Sequence, residues 1–400
     1  MPETKQRSAL EDFISDIRVE RWRIYWKNLR CAFIAEVIPG MLYKDIMSTL
    51  GFLAKDYFFR FQVIPGFTTV SMLMDEGYSP EEALEKYAWL YTVGGRGKTE
   101  IVEADIEKPR VIVRIYNSAV SCWFKRNIRN VKAVFPFFSC PWWGYNWVGA
   151  VRAALEKSGR SAPPLTYYSE KCFALGDDYC EFYIEPACDK EDPFKGIEEE
   201  LTYLARNKYE PAAVQAPSSE ECGDIWKFLN KLEMRSDGTV GIGRERILMV
   251  EGGMYSIAQM LVPVELFGGV VYAAYMKAHV GYGRLLAKQG EKHGVEKVVN
   301  FFLSSTSSMG WGKSELIKFE ESEVVFRVYQ SIYAEVARSY IARRRLAKRP
   351  ICTYGWIVEG ILNHFAETKG EPPFTSREEK CVAKGDDYCE FVLQRSSSPF

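Results

Sequence analysis

The stretch EKCFALGDDYCEF, Glu170 to Phe182, returns as EKCVAKGDDYCEF, Glu379 to Phe391, changed only where Phe173 faces Val382 and Leu175 faces Lys384. Upstream, GRGKTEIVEADIEKPRVIVRIYNS from Gly95 answers GWGKSELIKFEESEVVFRVYQS from Gly310, and Cys140 answers Cys352. The offset between copies falls from 215 at Gly95/Gly310 to 209 at Glu170/Glu379, while order and content hold. The chain is therefore an internal duplication whose period is a whole domain rather than a short stacked repeat.

The 400 residues, 47% of them hydrophobic, suffice for two cores at roughly 150 residues per domain. The copies predict a first domain over 1–190, a linker over 191–220 with its midpoint near 205, and a second domain over 221–395. EPACDKEDPFKG and YEPAAVQAPSSEECGD supply the linker composition, and EEELTYLARNK between them reads as a helical strap. A net charge of -1, from 52 basic and 53 acidic residues, gives no field to attract nucleic acid or an anionic membrane. The N-terminal MPETKQRSALEDF lacks an apolar signal core, which leads us to expect a cytoplasmic protein. The most apolar stretch, Ile247 to Met276, is interrupted by Glu251 and Glu265, whereas a membrane span needs about 20 apolar residues.

In the second copy RILMVEG reads as a strand, and MYSIAQMLVPVELFGGVVYAAYMKAHVGYGRLLAKQ as helices broken at the Gly pair. KSELIKFEESEVVFRVYQ reads as two strands, EVARSYIARRRLA as a helix with its arginines in solvent, and TYGWIVEGILNHFAETKG as a helix closing at Gly370. The quoted signature is a final hairpin with GDD at its turn and YCEF returning as a strand. This is an α+β domain with an antiparallel sheet packed against helices. The first copy keeps the second half of the plan, but its N-terminal part, RWRIYWKNLRCAFIAEVIPGMLYKDIM, diverges and is richer in aromatics.

Six of ten cysteines repeat one pattern: Cys140, Cys172 and Cys180, then Cys352, Cys381 and Cys389. The seven residues between the last two of each set span the hairpin and bring two sulfurs together, as a zinc ion bound at about 2.3 Å per thiolate requires. The remaining cysteine of each set begins a predicted helix, whose free N–H groups favour a thiolate. The alternative is that all are small core hydrophobes. An iron–sulfur cluster takes four thiolates, one more than either set offers. The reading is zinc, two ions per chain. A carboxylate would complete each site, from Glu378 or Glu379 in the second copy, where the first offers Ser169 and Glu170. Cys31, Cys122, Cys188 and Cys222 have no repeat partner and read as structural.

The run from Cys352 to Glu378, Cys381, Gly385, Asp386 and Cys389 resembles the 4-vinyl reductase domain, known in a bacteriochlorophyll-biosynthesis protein and in the sensor halves of phenol- and xylene-responsive transcription activators. The likeness covers most of the second copy and the C-terminal half of the first. It implies two tandem domains with a fold like the small subunits of the TRAPP complex, dimerisation, and a zinc site beside an apolar pocket. By that likeness the ligands are Cys352, Glu378, Cys381 and Cys389, with Cys140, Cys172 and Cys180 in the first copy, where Ser169 replaces the glutamate and Glu170 or water is the alternative. The chain departs from the activators in carrying no GxxxxGK[ST] phosphate loop and no helix-turn-helix. GRGKT and GWGKS have the wrong spacing for such a loop.

FPFFSCPWWGYNW, Phe135 to Trp147, crowds aromatics around Cys140. They form either core or one wall of a pocket for a flat ligand. Trp142, Trp143, Tyr145, Arg96, Arg114 and Tyr116 are the candidate ligand-binding residues, Arg114 and its counterpart Arg327 being able to grip a carboxylate if they face inward. His279, His293 and His364 lie only in the second copy and no nucleophile motif accompanies them. The expectation is a zinc-containing protein that binds a small apolar or aromatic molecule as sensor, carrier or assembly partner. The alternative is a zinc enzyme for an aromatic or tetrapyrrole-like substrate, with an open metal position in the first domain.

Overall fold

The computed structural model describes residues 3–20, 22–27, 29–51, 53–54, 62–135, 140–187, 192, 223–251, 269–335, 337–338 and 352–396. The expected linker apart from Asp192, residues 254–268 of the expected helical stretch, most of EVARSYIARRRLA, Cys188 and Cys222 lie outside them.

From the N-terminus the elements are α1 (Glu3–Ser15), β1 (Ile17–Glu20), β2 (Arg23–Trp26), β3 (Leu29–Ala35), α2 (Val37–Leu50), α3 (Val63–Asp75), α4 (Pro80–Val93), β4 (Lys98–Asp105) and β5 (Arg110–Tyr116). Then come α5 (Ala119–Asn127), α6 (Val131–Val134), α7 (Pro141–Lys157), β6 (Leu165–Lys171), β7 (Tyr179–Pro186), α8 (Gly223–Leu229), β8 (Glu233–Met234), β9 (Val240–Ile242) and β10 (Glu245–Glu251). The last are α9 (Gly269–Gly290), α10 (Val295–Ser308), β11 (Lys313–Phe319), β12 (Glu323–Tyr329), α11 (Tyr354–Lys369), β13 (Phe374–Lys380) and β14 (Cys389–Arg395).

Two compact units emerge, and neither is a continuous stretch: one comprises 1–16, 46–208 and 232–254, the other 17–45, 209–231 and 255–400. Unit 1 holds an antiparallel sheet in the order β4-β5-β7-β6, and unit 2 its counterpart, β11-β12-β14-β13. Burial alternates along β12, as a sheet with one face on the core requires, with Val324, Phe326 and Val328 inward. Phe326 pairs across strands with Phe391, their rings stacked 4.9 Å apart. By contrast β10, read as a strand from RILMVEG, is buried at every residue after Glu245.

In each unit a pair of helices crosses on glycine. A Cβ on Gly66 of α3 would lie 1.8 Å from the Asn146 carbonyl oxygen of α7, and one on Gly283 of α9 would lie 2.0 Å from that of Ile357 in α11. Only the missing side chain allows these backbones to approach so closely. α11 ends as its sequence predicts, with Gly370 left-handed at φ 66°. α4 opens with a capping box in which Ser79 and Glu82 satisfy each other's backbone N–H, and Pro80 takes the first helical position.

Each unit also contains a hairpin segment from the other side of the repeat boundary. In unit 2 the Phe33 N–H donates to the Met309 carbonyl at 2.9 Å and Trp311 Nε1 to the Phe33 carbonyl at 2.6 Å. Arg23 and Arg30 of the same segment meet Glu335 at 2.5 and 3.8 Å, all three side chains nearly inaccessible. In unit 1 the Met249 N–H donates to the Gly94 carbonyl at 2.9 Å, and Arg246 grips the Gly95 carbonyl. These are corresponding contacts, since Phe33 relates to Met249 as Gly94 does to Met309.

Candidate metal centre

The repeated hairpin builds one wall of the site in unit 2. After β13, Cys381 continues in extended conformation, one 3-10 turn spans Val382–Lys384, Gly385 takes φ 109°, and β14 begins at Cys389. Asp386 fastens the turn: its Oδ2 accepts the Cys381 N–H at 2.7 Å while its own N–H donates to the Cys381 carbonyl at 3.2 Å. A β-bulge between Glu378 and Lys380 inserts one unpaired residue. Such a bulge re-aims neighbouring side chains, and the Glu378 side chain is 1% exposed between the exposed Arg377 and Glu379.

Cys352 arrives from the opposite side, two residues ahead of α11, with its sulfur 3.6 Å from that of Cys389 and 3.3 Å from Ser331 Oγ. One ligand atom from each of Cys352, Glu378, Cys381 and Cys389 lies within 4.8 Å of every other. Among the described residues this is the one group of three or more metal-capable side chains. Sulfurs held tetrahedrally 2.3 Å from zinc stand roughly 3.8 Å apart, close to the sulfur separation here.

The electrostatics agree with a site for a cation. Burial pushes the Cys352 and Cys389 thiols up and moves the Glu378 carboxyl to about 8, the neighbouring Cys381 adding to it. Hydrogen bonds from Cys352 and Cys389 hold Cys381 down at about 3. Four acidic groups in one buried pocket resist joint ionisation, and a dication would reverse that balance. Lys384 Nζ, 3.5 Å from Glu378 Oε2, is a partial countercharge.

The first copy has the same frame around a different centre. Gly176 turns with φ 117°, Asp177 Oδ2 accepts the Cys172 N–H at 2.7 Å, and β6 carries a bulge between Ser169 and Lys171. Cys140 caps α7 in a left-handed conformation with φ 48°. Ser169, at the Glu378 position, donates to the Lys171 carbonyl at 2.9 Å, and Glu170 accepts from the Tyr183 hydroxyl at 3.2 Å on the exposed side. Ser121, which sequence reasoning passed over, instead points its hydroxyl at the sulfurs, 3.2 Å from Cys180 and 3.9 Å from Cys172. Burial pushes the Cys140 thiol up, and the bond with Cys172 followed by burial does the same for Cys180.

The remaining candidates divide. Arg114 lies on the outer face of its strand, bound to Glu181 at 2.5 Å and 5.0 Å above the Tyr179 ring, which also packs against Tyr116. Arg327 repeats this with Glu390 and Tyr388, so the carboxylates the two arginines grip are internal. Trp142, Trp143 and Tyr145 are buried, with Trp143 Nε1 donating to Ser118 Oγ at 3.0 Å and Tyr145 edge-on to Tyr167. Arg96 is buried 4.8 Å from the Tyr91 ring. None of these six lines the cavity of about 340 Å³ in unit 1, whose walls include Ala88, Trp89, Thr92, Lys98, Glu100 and Met234.

His293 is exposed and His364 stands 3.9 Å from Glu291, whereas His279 is 1% exposed in α9. Its Nδ1 lies 2.7 Å from the Tyr275 carbonyl, its ring stacks on Tyr275 and neighbours Trp356, and its Nε2 has no hydrogen-bond partner in the protein. No sequence motif marked it.

Compared with known proteins, residues 332–395 match the 4-vinyl reductase domain family. No curated protein matches the chain. Among solved structures it is similar to the phenol-responsive sensory domain of the transcription activator PoxR with phenol, at 19% identity over 50% of this chain and 98% of that one, with a TM-score of 0.36. No helix among the described residues is long and apolar enough to cross a membrane.

Proposed function

With residues 332–395 a 4-vinyl reductase domain, we propose that unit 2 is a zinc-stabilised domain that binds a small aromatic molecule and acts as a sensor or carrier. The observation that carries this reading is the convergence of Cys352, Glu378, Cys381 and Cys389. Three thiolates and one carboxylate are a donor set suited to zinc, and four protein ligands make a closed, structural site. Bound there, the ion would pin the β13–β14 hairpin to the start of α11.

His279 supports the ligand half of the reading. A carbonyl only accepts, so the proton sits on Nδ1; burial holds the ring's pKa at about 4, so the imidazole is neutral and Nε2 is an acceptor. A buried acceptor among aromatic rings suits a flat ligand that offers one hydroxyl or N–H. Calorimetric titration of the full chain with phenol and with toluene tests this. Phenol is expected to bind at least about tenfold more tightly, by the worth of one hydrogen bond to a buried acceptor, and His279→Leu to erase the difference. Equal binding of the two, or none of either, removes the ligand reading. Elemental analysis showing no zinc lost on Cys389→Ser removes the metal reading.

A further inference from the structure

The duplicated frame invites a second ion in unit 1, but the residues there do not fit one. At the Glu378 position stands Ser169, whose hydroxyl is committed to the Lys171 carbonyl. The nearest other carboxylate of that strand, Glu170, is on the exposed side with Tyr183. The space among the sulfurs is taken by Ser121 Oγ, which approaches Cys180 and Cys172 and also hydrogen-bonds Cys140. In the second copy the residue at this place is Ala334, fully buried and without a hydroxyl: Ser118 and Ser331 correspond, each begins the following helical turn, and the count from each is the same.

From this geometry we propose that Ser121 takes the position of the ion, so that unit 1 is a metal-free version of the site and the chain holds one zinc, not two. A hydroxyl donates one hydrogen bond and accepts two, which lets it serve three thiols without any ion. The exchange is reciprocal: unit 2 has a carboxylate and no hydroxyl, unit 1 a hydroxyl and no carboxylate. A cluster satisfied by hydroxyl bonds keeps the same hairpin closed while removing dependence on metal supply.

The inference rests on the zinc reading of unit 2, and metal counting separates the two. Purified full-length chain, loaded with excess zinc and desalted, is expected to carry one zinc per chain by elemental analysis. Two per chain overturns the inference while the reading of unit 2 stands; none overturns that reading. Cys180→Ser is expected to leave the count at one and Cys389→Ser to bring it to zero. Retention of zinc by Cys389→Ser with its loss from Cys180→Ser reverses the assignment. The double change Ser121→Ala with Ser169→Glu is expected to raise the count to two, and cobalt loading of that variant to double the thiolate-to-metal charge-transfer absorption. A folded double variant that still takes one metal overturns the role given to Ser121.

Discussion

Asp386 and Asp177 perform one local task, each holding the N–H of a cysteine across its turn at 2.7 Å, but only the first of those cysteines belongs to the four-ligand group. Asp386→Ala is expected to weaken zinc binding by the full chain about 10–100-fold, the usual effect of losing a group that orients a ligand, while Asp177→Ala leaves it unchanged. Competition with a chromophoric chelator measures both. His279 sets a pH dependence of its own. Its folded pKa of about 4 lies below the model value of 6.5. The unfolded chain therefore binds more protons between those values, and stability falls as pH drops through that window. The loss is at most on the order of 3 kcal/mol; urea titrations at pH 7 and pH 4.5 should show it, and His279→Leu should reduce it. The cysteines and Glu378 were legible because two copies repeat them or offer a carboxylate beside them. Ser121 was not, since one serine in the first turn of a helix looks ordinary until its hydroxyl is located. Arg114 and Arg327 were legible as gripping carboxylates, but the partners, Glu181 and Glu390, stood unnoticed inside the quoted signature itself.

Among the elements, the helix crossings are the least forgiving. A Cβ on Gly360 of α11 would lie 2.1 Å from the Val280 carbonyl oxygen, so Gly360→Ala is expected to destabilise unit 2 by about 1–3 kcal/mol, as overpacking does, despite alanine's better helix propensity. A lowered urea midpoint checks it; an unchanged one would mean the helices part freely. The hairpin β1–β3 is fastened by charge. Arg23→Met leaves Glu335 with only the longer contact to Arg30, and breaking a buried pair in this way costs about 3–5 kcal/mol, readable from the same titration. Periodicity and capping made β11, β12 and α11 legible, because each shows one face to the core or ends on a glycine with a reason to be there. β10 was legible as a strand but not as a buried one, since an apolar run does not say what covers its second face.

At the scale of the whole chain, the duplication was plain in the sequence, and the allotment of segments to units was not. Repetition tells which stretches are alike, but packing decides which keep company, and here 17–45 goes with the second copy's core and 232–254 with the first's. Separate pieces 1–205 and 206–400 are therefore each expected to lack a proper hairpin and to unfold without cooperativity, whereas the two produced together should co-purify. Cooperative unfolding of 206–400 alone would show its own hairpin can serve instead. The same allotment bears on how such a chain could have arisen. A protein with one copy could satisfy this packing only by lending its hairpin to a second molecule, and its folding would then follow concentration. Joining two copies on one polypeptide replaces that encounter with an effective concentration in the millimolar range, so the lender and the borrower are always present in equal number and the native state no longer depends on finding a stranger.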